Sequence, residues 1–102
     1  MNMSKSILSI RKNAGKAGTL LKSLANTKRL MILCFLNHQA MTVNDLAEQV
    51  GLSQSALSQH LAKMRRDKLV TGEKRGQSVY YRIAKPEVHA LLSTLYLIYC
   101  RE

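Results

Sequence analysis

The chain has 102 residues, enough for one domain with a modest core, and domains of that size often dimerise to bury more apolar surface. Sixteen Lys and Arg against six Asp and Glu give a formal net charge of +10, which points to a polyanionic partner, either nucleic acid or an acidic membrane face. The longest apolar run, "LMILCFL", is far too short to cross a bilayer. The first residues also lack the unbroken apolar core of a signal peptide, so the expected compartment is the cytoplasm, where a structural disulfide framework is not expected.

Apolar or small residues at 7, 10, 14, 17, 21 and 24 step by three and four and predict a helix over about 5–25. Gly15 and Gly18 each weaken it by roughly 1 kcal/mol relative to Ala, so the stripe is expected to pack closely against a partner helix. Asn26 or Thr27 caps a second helix reaching about Asn37, apolar on nearly every side and therefore central to the core. Thr42 opens a third helix, "VNDLAEQV", with Asp45 three residues on. Gly51 ends it and Ser53 caps a fourth. Two helices about a turn, over about 43–67, form a helix-turn-helix.

The period then changes. Val79, Tyr81 and Ile83 alternate with Ser78, Tyr80 and Arg82, as a strand does. Residues 69–74 supply the facing strand, with the bend near Arg75-Gly76-Gln77, so a β-hairpin wing is expected over about 69–83. Pro86 starts a last helix, about 86–100, with a stripe of Val88, Leu91, Leu92, Leu95 and Tyr99. The two terminal helices carry apolar stripes that so small a domain leaves without an obvious partner, which predicts a homodimer joined through them. With no repeat or low-complexity tract, residues 1–102 read as a single mainly α winged helix-turn-helix domain.

Its fourth helix, within "LSQSALSQHLAKMRRDKLV", has two faces. Ala56, Leu57, Leu61 and Met64 gather on one, with His60 at its buried edge, where a hydrogen-bonded structural role is expected. Ser55, Ser58, Gln59, Ala62 and Arg66 gather on the other. Short polar side chains suit a major groove about 12 Å wide. Gln54, Ser55, Ser58 and Gln59 are placed for base edges, and Lys63, Arg65, Arg66, Lys74 and Arg75 for phosphates. A polar face on an isolated helix is more often merely solvated; the preceding helix, the wing and the charge reverse that reading. Two-fold-related recognition helices would meet half-sites roughly 34 Å apart, so the expected partner is double-stranded DNA bearing an imperfect inverted repeat. No phosphate loop, paired-acid site or complete metal set suggests an enzyme. The basic residues are spread over several elements rather than one amphipathic face, which argues against a membrane partner.

"LLKSLANTKRLMIL", "VNDLAEQVGLSQSALSQHLAKMRRDKLV" and "RGQSVYY" together resemble the ArsR/SmtB family of bacterial winged-helix repressors, over about residues 17–100. The resemblance implies a homodimer that blocks a promoter until an inducer releases it. Lys68 stands where members usually have glycine, and a left-handed lysine there costs on the order of 1 kcal/mol. The family's thiolate metal site needs a Cys-x-Cys pair in the helix before the recognition helix, and "VNDLAEQV" has no cysteine. Its other metal site lies on the last helix. Glu87 and His89 match the first half, but the second falls on Cys100 and finds no fourth ligand, so neither a metal nor another cofactor is expected. Cys34 and Cys100 remain. A free cysteine in an apolar helix ordinarily serves as a small hydrophobe. The pair also resembles the dithiol, persulfide- and redox-responsive branch of the family, which implies a disulfide or polysulfide bridge between them, with reactive sulfur species or an oxidant as inducer. A metal-responsive repressor and a DNA-binding protein without a sensor stay open as alternatives. So does the order in which the two cysteines react.

Overall fold

Side-chain caps set three of the helix starts. In the computed structural model, which describes residues 3–101, Asn26 accepts a hydrogen bond from the Arg29 N–H at 3.0 Å, Thr42 from Asp45 at 3.2 Å and Ser53 from Ala56 at 3.1 Å. Each cap residue is itself extended, so its oxygen takes a donor that the first helical turn leaves orphaned, a contribution of about 1 kcal/mol. The helices are α1 (Met3–Leu24), α2 (Thr27–His38), α3 (Val43–Val50), α4 (Gln54–Arg66) and α5 (Pro86–Tyr99). α5 has no side-chain cap; Pro86 occupies its first turn, where a missing N–H costs nothing.

α3 and α4 end the same way, in a Schellman motif. After α3, Gly51 turns left-handed at φ 79° and the Leu52 N–H reaches back to the Ala47 carbonyl at 3.1 Å. After α4, Lys68 adopts φ 61°. Its N–H donates to Arg65 O at 3.0 Å and the Leu69 N–H to Met64 O at 2.9 Å. Leu69 and Met64 are both fully buried, which supplies the apolar contact that accompanies this motif. A lysine therefore fills a position whose backbone favours glycine.

Three antiparallel strands, β1 (Met41–Thr42), β2 (Val70–Arg75) and β3 (Ser78–Ile83), form one sheet in the order β1-β3-β2. The hairpin expected from the alternation is present as β2 and β3. β1 is an addition to it. It pairs Met41 with Tyr81 and Thr42 with Tyr80, a partnership no two-residue segment can announce by its own period. Gly72 faces Tyr81 across the hairpin. A Cβ there would lie 3.1 Å from Val79 Cγ1 and 3.3 Å from the Tyr81 ring, so the bare backbone is what lets that ring lie close.

The core sits where α2 meets α3 and α5 and where α4 packs on α3. Ile32, Leu33, Leu46, Leu57, Leu61 and Val88 are each at most 2% exposed, and burying such a side chain contributes roughly 1.5–3 kcal/mol. Among the described residues no polar side chain is buried with them. α1 gives this core little beyond Leu24 and Leu20. Its Leu8 and Ile10 are 65% and 67% exposed, as is much of the far end of α5, where Ile98 reaches 64%. Tyr99, expected in the apolar stripe of α5, is 79% exposed and belongs to this outward apolar face.

Candidate DNA-binding surface and cysteine pair

α4 buries Leu57, Leu61 and Met64 and turns Gln54, Ser55, Ser58, Gln59, Lys63, Arg65 and Arg66 to solvent. Packing of α3 against α4 and of α4 against β2 fixes how that outer face projects. The first turn of α4 carries no acidic residue, so nothing on the helix neutralises its positive dipole end. Its last turn carries Lys63, Arg65 and Arg66. Lys63 stands at the margin of the face and lines a groove of about 1120 Å³ that also holds Lys16, Lys22, Arg29 and Lys85, which extends the basic surface toward α1. One hydrogen bond has no counterpart in the sequence reading: the Gln54 Nε2 amide donates to Asn44 Oδ1 on α3.

On the wing, Lys74 and Arg75 are both exposed. Arg75 is not free. Its guanidinium lies 3.4 Å from a Glu73 carboxylate oxygen and 4.8 Å from the centre of the Tyr80 ring, so part of its charge is already met within the strand. His60 is half-buried as expected. The hydrogen bond expected of it is absent, since its ring reaches no partner among the described residues.

The two cysteines lie on α2 and at the end of α5, which pack together. Both are free thiols, Cys34 half-buried and Cys100 exposed. Burial pushes the Cys34 thiol above the ordinary thiol value, and the nearby Cys100 pushes it further. Cys34 opens on a cavity of about 320 Å³ between α2 and α5, lined also by Asn37, His38, His89, Ser93 and Tyr96. Polar and aromatic contacts fasten the helices beside it. Asn37 Nδ2 donates to Ser93 Oγ at 3.2 Å, His89 Nδ1 donates to Asn37 Oδ1, and the His38 and Tyr96 rings meet edge to face at 5.1 Å. His89, half of the incomplete metal pair, is thus engaged elsewhere. Among the described residues no three His, Cys, Asp or Glu side chains are grouped to hold a metal ion.

Fold and surface together define a winged helix-turn-helix DNA-binding protein. Residues 26–71 match the family model described as bacterial regulatory protein, arsR family. The transcriptional activator HlyU of Vibrio cholerae is 48% identical over 88% of this chain and 83% of its own. A structure of reduced HlyU from V. cholerae superposes with a TM-score of 0.84 at 46% identity, covering 91% of this chain and 98% of that one. Crystalline HlyU from Vibrio vulnificus gives 0.88 at 47% identity, covering 93% and 99%. A homodimeric winged helix-turn-helix domain from Mycobacterium bovis gives 0.70 at 28% identity, covering 96% and 86%. The chain belongs to the ArsR family, whose members here are transcriptional regulators, not enzymes.

Proposed function

We propose that this regulator is a cytoplasmic homodimeric repressor whose grip on its operator is switched by reversible disulfide or polysulfide formation between Cys34 and Cys100. The observation that carries the reading is the placement of two free thiols on α2 and at the end of α5, helices that pack against each other. A relative of 46% identity whose solved form is called reduced supports it. In a disulfide step the two thiols give two protons and two electrons to the oxidant, and an S–S bond forms; an added thiol returns them.

Cys100 is the exposed sulfur that an oxidant in solvent meets first, and Cys34 closes the bridge. A disulfide holds its Cα atoms about 4.4–6.8 Å apart, so where the reduced pair sits wider than that, closure draws the end of α5 onto α2. The apolar outer faces of α1 and α5 form the dimer interface in this reading, and a shift of α5 rotates one recognition helix against the other. Half-sites are then mis-spaced, and every good bidentate pairing with a base that this breaks costs roughly 1–3 kcal/mol. In the DNA-bound state Gln54, Ser55, Ser58 and Gln59 meet base edges. Lys63, Arg65, Arg66, Lys74 and Arg75 meet phosphates of an imperfect inverted repeat.

The test is affinity for DNA upstream of the protein's own gene at one fixed salt concentration, which matters because phosphate contacts weaken steeply with salt. Reduced protein is compared with protein treated with polysulfide and with the same protein re-reduced. The expected result is a reversible loss of at least tenfold, about 1.4 kcal/mol, absent from Cys34→Ser and Cys100→Ser. Equal affinity in all three states refutes the switch. Affinity that instead follows added zinc and is reversed by a chelator establishes the metal-responsive alternative.

A further inference from the structure

The base-reading face of α4 is held by a residue outside it. Gln54 is the first residue of α4, following the Ser53 cap, and the amino end of a recognition helix is the part that reaches base edges in helix-turn-helix proteins. Its side chain is exposed and long, with enough rotamer freedom to present its amide in several ways. Across the turn at Gly51, Asn44 on α3 is also exposed, and the two amides are hydrogen-bonded, Gln54 Nε2 to Asn44 Oδ1. We infer that Asn44 is a positioning residue for specificity, which fixes the Gln54 amide so that it selects adenine over guanine in each half-site. This rests on the reading that Gln54 meets a base edge.

The selectivity comes from the count of donors. A glutamine amide has two N–H groups and a carbonyl oxygen with two lone pairs. The bond to Asn44 consumes one N–H, which leaves one donor beside one acceptor. Adenine in the major groove offers N7 as acceptor and N6–H₂ as donor, the complement of that pair. Guanine offers two acceptors, N7 and O6. A glutamine with its second N–H free can turn its NH₂ toward both. A clamped one sets its carbonyl oxygen against O6. The selectivity follows from this orientation of the two amides, in which Gln54 donates to Asn44 Oδ1 and keeps a single N–H for the base. The clamp also removes, before DNA arrives, part of the side-chain freedom that binding would otherwise have to freeze.

The experiment uses the full-length dimer and a randomised duplex pool to define the preferred site. Affinities at fixed salt are then measured for that site and for duplexes with each symmetry-related pair of positions substituted. Gln54→Ala locates the pair that Gln54 reads. Asn44→Ala is expected to lower the adenine-over-guanine preference at that pair by at least about threefold, out of the roughly five- to hundredfold that one bidentate pairing supplies, with other positions unchanged. Asn44→Asp keeps an acceptor for Gln54; it should retain the preference while weakening all duplexes alike through its charge. Melting curves for each variant show that folding is intact, as expected for an exposed side chain. A uniform loss for Asn44→Ala at every position, with the salt slope unchanged because asparagine is neutral, would identify a phosphate contact and overturn the inference. Unchanged preferences in Asn44→Ala, where Gln54→Ala flattens one pair, overturn it and leave the base-reading role standing. If Gln54→Ala flattens no position, the base-reading role falls and the inference falls with it.

Discussion

Lys68→Gly should stabilise the protein. The backbone at Lys68 is left-handed, φ 61°, and both hydrogen bonds of the motif that closes α4 run through this turn. Gly51 meets the same requirement after α3 at φ 79°. A non-glycine residue in that conformation costs about 1–2 kcal/mol. Introducing glycine gives back some of the gain, about 0.4–1 kcal/mol, because it loosens the unfolded chain. The net expectation is about 0.5–1 kcal/mol, or roughly 2–8 °C in melting temperature for a domain of this size. The assay is thermal or urea unfolding at one protomer concentration, since dimerisation makes apparent stability depend on it. Lys68→Ala separates strain from charge: it removes the ammonium, keeps a Cβ at positive φ, and should gain nothing. Gly51→Ala, the converse change, should lose on the order of 1 kcal/mol. Equal gains for Lys68→Gly and Lys68→Ala would assign the effect to like-charge repulsion with Lys63, Arg65 and Arg66, and refute the backbone argument.

Alkylation of the reduced protein should modify Cys100 before Cys34, and Cys100→Ser should lower the pH at which Cys34 becomes reactive, because one of the two influences holding its proton is removed. The folded chain keeps the Cys34 proton above the pH where an unfolded thiol ionises, about 8.5. The stability this contributes is complete below that value and is lost as pH rises through the folded one. Chemical denaturation should therefore show a steeper loss in this alkaline range for the parent protein than for Cys34→Ser; parallel curves would contradict it. Glu73→Gln releases Arg75 and should tighten DNA binding severalfold at low salt while moving stability by less than about 0.5 kcal/mol; an unchanged affinity would mean Arg75 stays on Tyr80 when DNA binds. Ser53→Ala removes the α4 cap and should cost about 1 kcal/mol in urea denaturation.

Features with local causes are legible in the sequence. Asn26, Thr42 and Ser53 cap helices through bonds to N–H groups three residues on, and the wing's alternation is a property of consecutive residues. Lys68 stands out as a misfit through the family resemblance, which puts a glycine at its place after α4. β1 does not stand out, since two residues carry no period and its reason to be a strand lies in Tyr80 and Tyr81. The Asn44–Gln54 bond, the Glu73–Arg75–Tyr80 cluster and the Asn37–His89–Ser93 bridge depend on how elements pack, or on rotamers, which side-chain spacing does not specify. His60 illustrates the reverse error: position at a buried edge implies half-burial, and burial of that degree leaves ring nitrogens wet enough to need no protein partner.

β1 has a mechanical consequence out of proportion to its two residues. Thr42 pairs with Tyr80 of the wing through its backbone and caps α3 through its hydroxyl. One residue therefore pins the base of the wing to the first helix of the reading head. The two cannot hinge against each other without breaking a ladder pair or a cap, so each half of the dimer meets DNA as a single stamp. Under the proposed switch, a signal arriving at α5 has no internal joint between wing and reading helix to bend; what it can alter is the set of one stamp relative to the other. Sensitivity to an inducer should accordingly depend on the length of DNA between half-sites far more than on the sequence within either half.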